Sequence, residues 1–123
     1  MIALRKVLTV LLIVAAFAAA YYLGQRKRVR RLDSFAQCLS AKQARMYGLS
    51  WCPHCAEQRE MFGPSFQYIS YVECGIKGSR DEEASCVQAG IKHFPTWEFA
   101  SGWRQEGTLS LQLLGEKTGC SLP

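Results

Sequence analysis

Seventeen consecutive residues without a charge, Val7 to Leu23 (VLTVLLIVAAFAAAYYL), constrain this chain more than any other stretch. A bilayer-spanning helix needs about 17–25 apolar residues. A helix this apolar on every side must be covered by lipid or by a large core. The chain has 123 residues, and the part downstream is too small to wrap such a helix. Ile2 to Leu4 extend the run, because Arg5 and Lys6 have stems long enough to snorkel. Tyr21 and Tyr22 fall where an interfacial aromatic belt belongs. The rival reading is a cleaved signal peptide. Lys6 would close its basic n-region, and Ala16-Phe17-Ala18 or Ala18-Ala19-Ala20 would be its small-residue cleavage site. The anchor is favoured, because the run exceeds most h-regions and a basic cluster follows it directly. Residues 1–24 are therefore read as a single transmembrane anchor or uncleaved signal.

The net charge of +5 divides at the same place. Residues 1–31 hold Arg5, Lys6, Arg26, Lys27, Arg28, Arg30 and Arg31 and no acid. The remainder holds eight basic and ten acidic residues, so it is close to −2. A globular nucleic-acid binder carries its positive charge on the domain, and no nucleic-acid partner is expected here. Residues 25–32 read as a solvated basic linker beside lipid headgroups. Taken alone, the positive-inside rule would put the following domain in the cytoplasm.

Residues 33–123 read as one small α/β domain. Asp33-Ser34 caps a helix to about residue 43. The stretch 44–50 (ARMYGLS) fits a short buried strand. Pro53 suits the first turn of a second helix, ended by Gly63-Pro64. The stretch 66–73 (FQYISYVE) reads as a strand, and 81–89 as a helix with acids in its first turn. The stretches 94–100 and 103–106 read as a hairpin about Ser101-Gly102. A last helix runs over 109–118 and stops at Gly119. The order is α-β-α-β-α-β-β-α, a layered α/β arrangement.

The chemistry concentrates at Trp51-Cys52-Pro53-His54-Cys55. Two cysteines three apart at a helix start lie on one face, within bridging distance. Cys52 precedes the helix, where unpaired N–H groups and the dipole favour a thiolate. A protonated His54 would favour it further. A stable thiolate favours the reduced form and makes the disulfide a stronger oxidant. Cys55, more shielded, would resolve a mixed disulfide. A zinc site built from Cys52, Cys55 and two of Cys74, Cys86 and His93 is the weaker alternative. Structural zinc prefers two short-spaced ligand pairs, so no metal is expected. His93 reads as a loop histidine without catalytic duty, and Trp51, Trp97 and Trp103 as core or rim aromatics, with Trp51 able to cover Cys52.

These residues, with the later Gly90-Ile91-Lys92-His93-Phe94-Pro95-Thr96 and the element order, resemble the thioredoxin superfamily over about residues 33–119. MYGLSWCPHCAEQREMFG, YVECG, the cysteine at 86 and FPTWEF are similar to the thioredoxin-like domain associated with bacterial vitamin K epoxide reductase homologues. The Pro-His dipeptide also looks like that of DsbA-type oxidases. The resemblance implies a thioredoxin fold, with a central mixed sheet flanked by helices. It implies a cis Pro95 facing Cys52, and a substrate groove formed by Trp51, Pro53, Phe94 and Thr96. Thioredoxins usually carry a buried acid six residues before the first active cysteine; here Met46 stands there, which suits an oxidant better than a reductase.

The resemblance also implies a structural disulfide between Cys74 and Cys86. Cys38 and Cys120 then remain as a further pair, one choice among many for six cysteines. Six cysteines in so short a domain point to an oxidising compartment, against the linker charge. The chain is thus expected to be a single-pass membrane thiol–disulfide oxidoreductase with its domain on the extracytoplasmic (periplasmic) side. It would need no cofactor beyond its redox-active disulfide. It would pass disulfides to cysteine-containing exported proteins and be reoxidised by a vitamin K epoxide reductase-like quinone reductase. The alternatives are a reductase or isomerase on the same face, and a non-enzymatic metal-binding tethered module.

Overall fold

The computed structural model describes the backbone of residues 1–123 and the side chains outside 29–31. The first helix, α1 (Ile2–Ala41), has 40 residues, which at about 1.5 Å per residue is roughly 60 Å of rod. Its apolar N-terminal window is long and hydrophobic enough to cross a membrane, and protein covers none of it. The expected linker over 25–32 is instead continuous helix. The physical reason is composition: Gln25, Arg26, Lys27 and Arg28 are good helix formers, and a lone Gly24 costs only about 1 kcal/mol. Arg30 and Arg31, counted in that linker, have side chains outside the described residues. The helix expected from Asp33 is thus the last part of α1.

Only that last part enters the core, through Phe35, Ala36 and Leu39, all fully buried. Their spacing puts them on one face of the helix. Phe35 stacks on Phe62 at 6.3 Å between ring centroids.

The sheet has four strands in the order β2-β1-β3-β4. The strands are β1 (Arg45–Gly48), β2 (Ser70–Glu73), β3 (Thr96–Glu98) and β4 (Arg104–Glu106). β1 lies parallel to β2 and antiparallel to β3, and β4 completes the hairpin with β3. Being bonded on both sides, β1 buries Met46, Tyr47 and Gly48. The helices are α2 (Pro53–Phe62), α3 (Ala84–Gln88) and α4 (Leu111–Thr118). α4 is capped by Ser110, whose hydroxyl accepts from the Leu113 amide, and ends where Gly119 turns left-handed.

The expected strands and the helix over 81–89 are all trimmed at their ends, and two of them for an identifiable reason. Gly63–Tyr68 forms a 3₁₀ segment, so β2 starts only at Ser70. The Ser40 hydroxyl explains the delay: it donates to the Tyr68 carbonyl and accepts from the Ser70 amide. α3 starts at Ala84, after the three acids expected in its first turn. Glu82 instead bridges Gly75, and the Glu83 amide donates to the Cys74 carbonyl at 2.7 Å.

Gln58 is fully buried on α2. Its Oε1 accepts from Trp97 Nε1 at 3.1 Å and from the Leu109 amide at 2.8 Å. Its Nε2 donates to the Leu109 carbonyl at 3.0 Å. One carboxamide therefore fastens α2 to β3 and to the approach of α4. Gln58→Leu conserves volume but strands these buried groups. It should destabilise the fold by about 2–4 kcal/mol, read from the urea midpoint. A loss under about 0.5 kcal/mol, the range of an ordinary surface change, would contradict this role.

Candidate active site

Cys52 is the N-cap of α2, with extended backbone (φ −81°, ψ 123°), and Pro53 opens the first turn. The proline has no N–H to leave unpaired and its fixed φ suits the helix. The Cys55 amide points back at Cys52 Sγ, 3.4 Å away. That amide is a first-turn donor of α2, and the sulphur is its partner.

Both thiols are free, Cys52 half-buried and Cys55 buried. Burial pushes the Cys55 thiol up from its ordinary 9.0 to about 12. The adjoining Cys52 acts in the same direction, while the Leu49 backbone and Arg59 act against it. Across from Cys52, the Phe94 carbonyl accepts from its thiol at 3.6 Å. The Phe94–Pro95 peptide is cis. Pro95 is buried, and its carbonyl takes the Gly107 amide at 2.7 Å. Thr96, also buried, donates to the His93 carbonyl. The loop before β3 is therefore tied on both flanks and presents the Phe94 backbone to Cys52.

Other residues singled out in the sequence sit farther out. The His54 ring is exposed, with Nδ1 3.6 Å from Glu57 Oε2. His93 is likewise exposed, 3.9 Å from Glu106. Trp51 is 43% exposed, and its ring lies over Gly75, where a Cβ would come within 2.6 Å of it. Trp97 is wholly buried, and Trp103 stacks on Phe99 at 5.4 Å. Met46 is buried in the apolar core.

The remaining cysteines are bonded in two pairs. Cys38 joins Cys120, tying α1 to the end of α4, and Cys74 joins Cys86, tying the end of β2 to α3. The second bond consumes two of the thiols that a zinc site at Cys52 and Cys55 would need. Among the described residues, no group of three or more His, Cys, Asp or Glu side chains gathers to hold a metal.

Sequence reasoning missed the polar residues behind Cys55. Arg59 lies one turn further along α2, and Tyr71 and Glu73 alternate on the same side of β2. Arg59 Nη1 donates to Tyr71 Oη at 3.4 Å, and Tyr71 donates to Glu73 Oε2. The spacings 55/59 on a helix and 71/73 on a strand are the signal that could have found them.

The geometry defines a dithiol site: one accessible sulphur at a helix N-terminus, one shielded sulphur beside it, and a backbone edge opposite. No described protein family matches the chain. It is 40% identical over 93 residues to the thiol-disulfide oxidoreductase LTO1 of Arabidopsis thaliana. That match covers 72% of this chain and 24% of the relative, so the chain spans about a quarter of the relative's length.

The protonation of Cys55 gives a first test. At pH 7, brief iodoacetamide treatment of the reduced chain should label Cys52 well before Cys55, by peptide mass spectrometry, since only thiolate reacts. Equal labelling would contradict the shielding. The reduced fold should also weaken as pH rises from about 9 toward 12, because the unfolded chain then gives up a proton that folded Cys55 keeps.

Proposed function

We propose that this chain is a membrane-anchored thiol–disulfide oxidoreductase with a thioredoxin-like domain over 33–123, working through Cys52 and Cys55. The observation that carries the reading is the unequal pair at the start of α2, half-buried Cys52 and buried Cys55, opposite the Phe94 carbonyl. The similarity to a thiol-disulfide oxidoreductase supports it.

In the oxidising direction a substrate thiolate attacks Cys52 Sγ of the 52–55 disulfide. Cys55 leaves as thiolate and takes a proton. A second substrate thiolate then displaces Cys52, so the substrate gains a disulfide and the protein is left with two thiols. Trp51, Pro53, Phe94 and Thr96 border the groove, with the backbone beside Pro95 holding the substrate chain, and His54 tunes the charge near Cys52. No cofactor beyond the disulfide is needed.

The N-terminal part of α1 serves as the anchor, with the domain on the extracytoplasmic side. The 38–120 and 74–86 disulfides support that side, because such bonds persist in oxidising compartments. There the domain would oxidise cysteine-containing exported proteins and be reoxidised by a vitamin K epoxide reductase-like membrane quinone reductase.

Cys52→Ser should abolish disulfide transfer to a reduced two-cysteine peptide, and Cys55→Ser, given the same peptide in its disulfide form, should accumulate a mixed disulfide through Cys52, seen by intact mass. Transfer that persists in Cys52→Ser would end the proposal. The direction of electron flow is read from the 52–55 potential. A value near −120 mV marks the oxidase and one near about −270 mV a reductase. The side of the membrane is tested by alkylating freshly isolated chain without reductant. If Cys38, Cys74, Cys86 and Cys120 all take label, the extracytoplasmic assignment fails.

A further inference from the structure

We infer that Tyr71 and Glu73 carry the Cys55 proton between the buried sulphur and solvent. This deepens the dithiol–disulfide reading and rests on it. Whichever way electrons flow, Cys55 must gain or lose a proton in each cycle, and it is fully buried.

The route runs through β2. Gly48 on β1 lets two groups converge: a Cβ there would lie 3.1 Å from Tyr71 Oη and 3.3 Å from Cys55 Sγ. The Tyr71 hydroxyl already donates to Glu73 Oε2, while its oxygen accepts from Arg59 Nη1. Its proton is therefore committed to Glu73, and its oxygen has the acceptor role. Glu73 is held through its other oxygen, Oε1, which accepts from the Ser50 amide at 2.9 Å and the Gly75 amide at 3.1 Å. Glu73 also lines an open surface cavity with Ser50, Trp51, Gly75, Lys77 and Arg80. The groups thus run from the buried sulphur, across the space that Gly48 leaves beside Tyr71 Oη, to the hydrogen-bonded Glu73 and the open cavity. Burial and the Glu73 contact keep the Tyr71 hydroxyl above the usual phenol range, so it passes a proton on and is not left ionised.

The step balances. As Cys55 attacks a mixed disulfide on Cys52, its S–H proton moves to Tyr71 Oη, and the Tyr71 proton moves to Glu73 Oε2. The new 52–55 bond forms, the outer thiolate leaves, and Glu73 releases its proton to the cavity. In the opposite direction the same groups return a proton to the departing Cys55 thiolate. The charged and titratable groups around Cys55 in this step are Cys52 and Arg59 from α2 and Tyr71 and Glu73 from β2. Arg59 steadies the thiolate as it forms.

The test uses the full chain in detergent, reduced and mixed with one equivalent of an aromatic disulfide, 5,5′-dithiobis(2-nitrobenzoate). The first arylthiolate reports attack by Cys52, and the second reports resolution by Cys55. At pH 7, Tyr71→Phe and Glu73→Gln should each slow the second phase by about tenfold or more, with the first phase within about twofold. The deficit should shrink at pH 9.5, where hydroxide takes the proton directly. Glu73→Gln keeps an oxygen for the Ser50 and Gly75 amides, so the fold is preserved while the acceptor is lost. Unchanged second phases in both variants, equal slowing of both phases, or a deficit that persists at pH 9.5 overturn the relay. A wild-type chain that releases one arylthiolate and never a second removes the dithiol–disulfide reading itself.

Discussion

The buried carboxamide of Gln58 fixes where everything reactive can be. It lies one turn beyond Cys55 on α2, and its three bonds to Trp97 and Leu109 hold that helix against β3. β3 in turn follows directly on Phe94 and Pro95. Gln58 thus helps set the distance between Cys52 and the Phe94 carbonyl without bonding to either, together with the Gly107 and Thr96 bonds that tie the loop before β3. An amide buried without partners would be destabilising, so the helix cannot slide without losing all three bonds together.

Around this fixed centre the six cysteines divide by environment. Cys38, Cys120, Cys74 and Cys86 bond element ends to one another, where crosslinks restrict the unfolded chain. Cys52 and Cys55 sit where a helix begins, so their bond would close only a short loop and contribute little to the fold. The same chemistry is structural in four positions and available for exchange in two.

Much of the layout was legible in the chain. Gly63-Pro64, Gly90 and Gly119 punctuate the helices, and the paired cysteines mark the strand-to-helix junction. What escaped was non-local. The linker over 25–32 looked distinct because of its charge, yet charge alone does not break a helix. β2 was overextended because Ser40, thirty residues earlier, intercepts its first hydrogen bonds. The residues behind Cys55 come from α2 and β2, and nothing local in Tyr71-Val72-Glu73 announces that it lies beside a reactive sulphur. Gln58, likewise, is a polar residue in a helix whose other buried positions, Cys55 and Phe62, are apolar, and only the position of Trp97 explains it.

The 38–120 bond has a mechanical meaning as well. It closes 82 residues of backbone separation into a covalent ring that contains the whole sheet, both free thiols and the second disulfide. Tension applied along α1 enters this ring at Cys38 and can be passed straight to Cys120, so no strand lies in the line of force. A single cut in the exposed turn around Gly78 would likewise release no fragment. The redox centre is carried inside a loop that can be pulled on or nicked without being opened.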